Sequence, residues 1–234
     1  MATQRRKIQT GEVYHIVNRG IDSKDIFLNK NDYLRFIHDM YEFNNEDTVS
    51  SVLYYFNKYS DPAGHNIIER KPRKLLVEIL SFCLMPNHYH LLLRSFINGG
   101  VIKFLSKLGS GYAKYFNIKY KRAGPLYQSR FKSIPVINES HFIHIPYYIH
   151  CNPLDLITPE WREKKISNPK KAIEFLNSYR WSSHLDFCGK HNFPSVTNRN
   201  FLLEVFGSEK KYQQKINEWI KDMEINNFKE SILE

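Results

Sequence analysis

Polar and apolar positions alternate from Glu12 to Arg19 (EVYHIVNR), and the run is rich in β-formers before it ends at Gly20, which predicts a first strand. The spacing then changes. Leu34, Ile37, Met40 and Tyr41 recur at helical intervals within 31–43, with Asn29 or Asn31 placed to cap. Residues 75–85 read as a strand, Pro86-Asn87 as a turn, and 88–95 as the return strand of a hairpin. Over 100–121, Val101, Leu105, Leu108, Tyr112, Tyr115 and Phe116 form one apolar stripe. Lys103, Lys107, Lys114 and Lys121 occupy much of the remaining surface, the pattern of a basic amphipathic helix. Gly109 and Gly111 weaken its middle and permit close packing there. After Gly124-Pro125 the run YQSRFKSIPVI reads as another strand. Asn138 then caps a helix to about Cys151, which Asn152-Pro153 stops.

Strand, helix, strand, strand, helix, strand, helix predicts an α+β sandwich, with helices packed on one face of an antiparallel sheet. Residues 44–74 combine an apolar patch with turn-rich and charged stretches and read as an insertion. Beyond Leu154 the character shifts, and two further helices are expected at 198–206 and 209–223. The predicted organisation is a main domain over 9–155 and a helical C-terminal extension over 156–234.

Charge sharpens this picture. Thirty-four Lys and Arg against 24 Asp and Glu leave a formal charge of +10. From Leu91 to Asn138 there is no acidic residue, while Arg94, Lys103, Lys107, Lys114, Lys119, Lys121, Arg122, Arg130 and Lys132 fall inside that window. Such a tract concentrates phosphates near it. Tyr112, Tyr115, Phe116, Tyr120, Tyr127 and Phe131 lie among those charges and offer faces for base stacking, although a core needs most of them. No run of about 18 apolar residues is present, so no membrane span is expected. The basic N-terminus is followed by no apolar stretch, and the three cysteines lack CxxC spacing, which points to a reduced, cytoplasmic setting.

The candidate chemistry centres on FCLMPNHYHLLLR. Residues two apart on a strand share a face, so His88 and His90 project together and Tyr89 projects the other way. Two imidazoles can hold one divalent cation if another element supplies a third ligand. Taken alone, such a pair is more often hydrogen-bonded or surface histidines on a hairpin than a metal site, because the spacing arises by chance. On the helix SHFIHIPYYIHCNPL, Tyr148 and Asn152 are four apart and share a face, presenting a phenol and a carboxamide together. Tyrosine is an unusual nucleophile, since its ordinary pKa is about 10. Tyr147 is expected to pack with the stripe of Phe142, Ile145 and Ile149. Pro146 removes a backbone hydrogen bond two residues before Tyr148, which predicts a kink or a restart.

CLMPNHYHLLL, then YQSRF, then YIHCNP resemble, in that order, the REP-associated tyrosine transposases, a branch of the single-tyrosine HUH transposases. YHIVNRG, GPLYQSRF and YRWSSH resemble that branch as well. The resemblance implies a ferredoxin-like or RRM-like sheet with the histidine pair on a central strand. It implies a transposase that cleaves and rejoins single-stranded DNA beside a hairpin through a 5′-phosphotyrosine intermediate, using Mg²⁺ or Mn²⁺. His88 and His90 match the metal histidines, Tyr148 the nucleophile and Asn152 the polar third ligand. DNA contacts are expected from Arg19, Arg94, Lys103, Lys107, Lys114, Lys121, Arg122, Gln128, Arg130 and Lys132. A homodimer is a further expectation, since some members exchange the tyrosine helix between subunits. Two other classes stay open: a non-catalytic nucleic-acid binder of the same fold, and a metal hydrolase or oxygenase. The last lacks a further ligand motif and leaves the acid-free tract unexplained.

Overall fold

The computed structural model of the chain describes residues 8–47 and 73–222. Its centre is a four-stranded antiparallel sheet: β1 (Val13–Arg19), β2 (Val77–Met85), β3 (His88–Ser95) and β4 (Lys132–Pro135), in the order β2-β3-β1-β4. Helices α1 (Lys30–Glu42) and α2 (Gly100–Lys119) complete a ferredoxin-like α+β arrangement. The long strand expected from Tyr127 is shorter than its β-forming composition suggests. Only Lys132–Pro135 pair continuously with β1, and Tyr127 makes one isolated bridge to Gly20.

Side-chain alternation divides the sheet. Tyr14, Ile16, Phe82, Leu84, Tyr89, Leu91 and Leu93 face one core, built with Phe36 and Met40 of α1 and with Phe104, Leu108 and Tyr112 of α2. Leu80, Cys83, Met85 and Leu92 face a second core on the other side. That core is completed by α3 (Glu139–Cys151) and by four C-terminal helices, α4 (Pro169–Leu176), α5 (His184–Phe187), α6 (Arg199–Phe206) and α7 (Glu209–Asp222). Helices therefore cover both faces, where the sequence pattern suggested one. This explains why every residue of β2 is buried, and every residue of β3 but Arg94: a strand sandwiched between two layers has no polar face.

Local chemistry sets the ends of the helices. Asn29 caps α1 by accepting from Asn31 N at 3.0 Å, and Asp32 closes the box by accepting from Asn29 N at 3.2 Å. Asp32 also accepts from the Tyr120 hydroxyl at 2.7 Å and pairs with Lys119 at 2.5 Å, joining the start of α1 to the end of α2. The Asn138 side chain caps α3 through His141 N at 2.7 Å. Helix α3 then runs through Pro146 to Cys151 as one assigned helix, without the restart that the proline suggests.

The YRWSSH segment has a structural role. Leu84 N donates to Trp181 O and Ser183 N to Phe82 O, so residues 181–183 cover the outer edge of β2. The Ser183 hydroxyl accepts from Phe82 N at 2.9 Å and lies 2.7 Å from His150 Nε2. His150 Nδ1 and His184 Nδ1 lie 2.7 and 2.9 Å from the Tyr212 hydroxyl. This buried network ties α3, β2, α5 and α7 together. The expected insertion over 44–74 lies outside the described residues apart from its ends, where the buried Asn44 side chain accepts from Leu76 N and Val77 N and donates to Val77 O. Among the described residues, no helix is long and apolar enough to cross a membrane.

Candidate active site

Strand pairing fixes the starting geometry. His88 and His90 sit on the face of β3 that points toward α3, opposite Arg19 and Val17 of β1 in the antiparallel register. Their ring centroids are 4.9 Å apart and nearly perpendicular, at 78°. Both are buried. His88 Nδ1 lies 2.6 Å from Asn87 Oδ1, a carbonyl oxygen, so Nδ1 carries the proton and Nε2 the lone pair. His90 Nδ1 lies 2.9 Å from Nε2 of His15, a residue of β1 whose ring stacks on His90 at 5.1 Å and 14°.

Electrostatics keep the His15 and His90 rings neutral. Burial pushes His15 down to about 3, helped by the nearby charge of His141. Burial also holds His90 well below the usual histidine range, with His88, His15, Arg162 and Arg19 adding to the depression. Neutral imidazole is the form that ligates metal. One of the two facing nitrogens, His90 Nδ1 or His15 Nε2, donates to the other; in the tautomer with the proton on His90, its Nε2 is left as an acceptor, the arrangement metal-binding histidines use.

Helix α3 brings the phenol in. The Tyr148 ring lies 6.0 Å from His90 and 6.0 Å from His15, edge-on to both. Tyr148 is itself buried in the second core, while Tyr147 packs in another part of that core, against Phe206, Tyr212 and Trp219. Asn152 is fully buried at the end of α3. Its Nδ2 donates to the Tyr148 carbonyl at 2.8 Å, and its Oδ1 accepts from Arg162 Nη2 at 3.0 Å. One chain thus gathers His88, His90, Tyr148 and Asn152, so a second subunit is not needed to bring the tyrosine to the histidines. Cys151 and His150, beside Asn152, point elsewhere: the buried thiol is pushed up and His150 enters the Tyr212 network.

Sequence reasoning missed three members of this cluster. His15 enters because the register of β1 against β3 sets it beside His90, which a single sequence does not disclose. Asp155 and Arg162 enter through two 3₁₀ turns, Asn152–Leu156 and Pro159–Glu163, that fold the chain back after α3. Arg162 Nη1 donates to the Tyr148 hydroxyl at 2.8 Å. Asp155 takes Arg162 Nε at 2.9 Å and Nη2 at 2.8 Å, and also accepts from Trp161 Nε1 at 2.6 Å. Burial alone would lower the Arg162 value; the hydrogen bond from Asp155 and the proximity of Tyr148 outweigh it and raise it.

The basic residues divide into groups. Arg19, Gln128, Arg130 and Lys132, with Val17, Asn18 and Ser129, line a cleft of about 420 Å³. Because Val17 and Arg19 oppose His90 and His88, that cleft borders the histidine pair. Lys103 and Lys107 belong to α2, on the opposite face of the sheet. Lys107 donates to the carbonyls of Asn45 and Asp47 at 2.6 and 2.9 Å, and Lys103 lies 3.8 Å from Glu46. Lys114 belongs to the same helix, while Lys121 and Arg122 follow its end, with the Arg122 guanidinium 5.5 Å from the Phe116 ring. Arg94 pairs with Glu78 and lies 4.0 Å over the Phe201 ring.

Residues 53–152 match the family model described as "Transposase IS200 like". Over those 100 of its 234 residues the chain is similar to the IS200-like transposases. None of the curated proteins matches the chain. A solved structure of a REP-associated tyrosine transposase bound to a REP hairpin is similar over 85% of this chain and 94% of that one, with 14% identity and a TM-score of 0.49. Among the described residues, no group of three His, Cys, Asp or Glu is placed to hold a metal. A metal at the histidine pair therefore needs a different third donor. The Asn152 carboxamide oxygen keeps one lone pair, since Arg162 takes the other.

Proposed function

We propose that this protein is a single-tyrosine transesterase that cleaves and rejoins single-stranded DNA beside hairpins. The observation that carries the reading is the convergence, within one chain, of the Tyr148 ring with the His90 and His15 rings at 6.0 Å. The family match over 53–152 supports the reaction class.

Tyr148 Oη attacks the phosphorus of a DNA phosphodiester. The Oη–P bond forms as the bond from phosphorus to the 3′ oxygen breaks. The phenolic proton is released and the departing 3′ oxygen gains one through solvent, leaving a free 3′-hydroxyl and a 5′-phosphotyrosyl protein. One phosphodiester replaces another, so a strand end can reverse the step without an energy source. His88 and His90, with the Asn152 oxygen, would hold Mg²⁺ or Mn²⁺, which when bound polarises the phosphoryl oxygen. His15 and Asn87 keep the two histidines oriented and in the ligating tautomer. The walls of the site exclude water, as the near-complete burial of His90, Asn152 and Trp161 supports.

The strand enters along the cleft of Arg19, Gln128, Arg130 and Lys132, whose charge suits a phosphate backbone. Residues 9–155 then form the catalytic domain, with Arg162 reaching in from the extension. The three free thiols fit a cytoplasmic setting, and a homodimer is compatible with a site complete in each copy. The test is incubation of labelled, hairpin-bearing single-stranded DNA with Mg²⁺. A denaturant-resistant protein–DNA adduct that disappears with Tyr148→Phe is the expected result. An adduct that persists in that variant removes Tyr148 from the role, and hairpin binding without any adduct leaves a non-catalytic binder.

A further inference from the structure

Arg162 lies where a nucleophile and a phosphate would meet, and its geometry asks for more than a structural salt bridge. Asp155 holds the guanidinium by two bonds, to Nε and Nη2. Such a two-point grip fixes the plane of the group, which a single contact does not. The remaining edge points into the site: Nη2 reaches Asn152 Oδ1 at 3.0 Å and Nη1 reaches the Tyr148 hydroxyl at 2.8 Å. A guanidinium has five N–H groups. Four are used among the described residues, and the fifth is the second hydrogen of Nη1, the nitrogen that already touches the phenol.

Distance then decides what that hydrogen can do. A reacting phosphorus stands about 3–3.5 Å from the attacking oxygen in a near-attack geometry. With Nη1 2.8 Å from Tyr148 Oη, a non-bridging oxygen of that phosphate comes within hydrogen-bond reach of the same nitrogen. The side chain is 34% exposed, and its guanidinium carbon lies 5.2 Å from the centre of the Trp161 ring.

We propose that Arg162 is a catalytic residue of this site, fixing the Tyr148 hydroxyl for attack and binding a non-bridging oxygen of the phosphodiester it attacks. The inference rests on the reading of Tyr148 as nucleophile and adds to it the group that holds the reacting phosphate. Arg162 keeps its proton throughout. The bonds that form and break are those of the tyrosine, the phosphorus and the 3′ oxygen, while the guanidinium offsets charge gathering on the phosphoryl oxygens.

The experiment uses the full chain, hairpin-bearing single-stranded DNA and Mg²⁺, with adduct formation followed in single turnover at saturating DNA. Substrates carry sulfur in place of either non-bridging oxygen at the cleaved phosphate. Arg162→Ala is expected to slow the adduct by about 100-fold or more, as loss of one aimed donor does elsewhere. Arg162→Lys is expected to recover part of that rate, because the charge remains and the planar fork is lost. Wild type is expected to be slowed by sulfur at one of the two positions beyond the effect at the other, and Arg162→Ala to lose that difference. Added free guanidinium should speed Arg162→Ala and leave Tyr148→Phe inactive. An Arg162→Ala rate within threefold of wild type, or an unchanged response to both sulfur positions, overturns the proposal. If Arg162→Ala melts below the assay temperature, the sulfur comparison is made on Arg162→Lys, where an unchanged response overturns it equally. Absence of an adduct in wild type overturns the nucleophile reading itself, a separate outcome.

Discussion

His15 Nε2 and His90 Nδ1 lie 2.9 Å apart, in rings that are stacked nearly parallel, although 75 residues separate them in the chain. On the proposed reading of His90 as a metal ligand, the contact makes His15 its orienting partner. Replacing such partners typically costs about 10- to 100-fold in metal affinity. His15→Ala is therefore expected to weaken Mn²⁺ binding by that amount, measured by titration calorimetry without DNA. His15→Gln keeps an acceptor and should lose less. Equal affinity in His15→Ala and wild type would remove His15 from this role.

Acid should destabilise the protein through its buried imidazoles. Burial holds His184 at about 4, below the ordinary value of 6.5. The unfolded chain then binds a proton that the folded chain refuses as pH falls from about 6.5 to 4, so folded-state stability is lost across that window. For His184 the loss is on the order of 3 kcal/mol at most. Asp39 acts in the opposite sense: burial raises it to about 7, so its contribution weakens as pH rises through the same range. His15, His90 and His150 share the direction of His184, so the net expectation is a falling melting temperature below pH 6.5. His184→Gln should flatten the fall, as read by thermal melts at pH 7 and pH 4.5.

The two glycines of α2 should behave in opposite ways. A Cβ at Gly111 would run into the Phe43 ring, whereas at Gly109 the nearest atom is Tyr127 Cε2 at 4.0 Å. Gly111→Ala is expected to destabilise by about 1–3 kcal/mol through overpacking. Gly109→Ala should stabilise by up to about 1 kcal/mol, because alanine is the better helix former. Urea titrations of both variants decide it, and equal shifts would contradict the packing of Phe43.

Basic residues should separate by their surroundings. Arg130 and Lys132 are exposed on the cleft and make no ion pair among the described residues. Each removal should reduce the salt dependence of single-strand binding by about 0.7 in the log–log slope. Arg94→Ala should instead lower stability by about 1–3 kcal/mol, since Glu78 is buried and loses its charged partner. Binding isotherms at several salt concentrations, together with melting curves, distinguish the two classes.

The order of the elements was legible in the chain because each rests on local rules. Alternation marked β1 and β3, Pro86-Asn87 marked the hairpin bend, and Asn29 and Asn138 marked two helix starts that their side chains do cap. Local rules also sent Tyr147 to the core and Tyr148 away from it, whereas both are buried in the second core. On α1 they placed Ile37 and Met40 on the buried face, but Tyr33 and Phe36 complete that face while Leu34 and Tyr41 stay half-buried. The short helices α4 and α5 carried too little periodicity to be recognised. The break suggested by Pro146 did not materialise, as the packing of α3 on the sheet holds one helix through it.

By itself the sequence determined the sheet and helix order, the shared face of His88 and His90, and the i, i+4 pairing of Tyr148 with Asn152, all consequences of backbone periodicity within single elements. Tertiary structure decided what surrounds them. Strand register set His15 beside His90, two irregular turns carried Asp155 and Arg162 back to the phenol, and a second core drew the C-terminal helices onto the sheet. These depend on contacts between segments distant in sequence, and burial energy summed over the whole chain, not any local pattern, selects them.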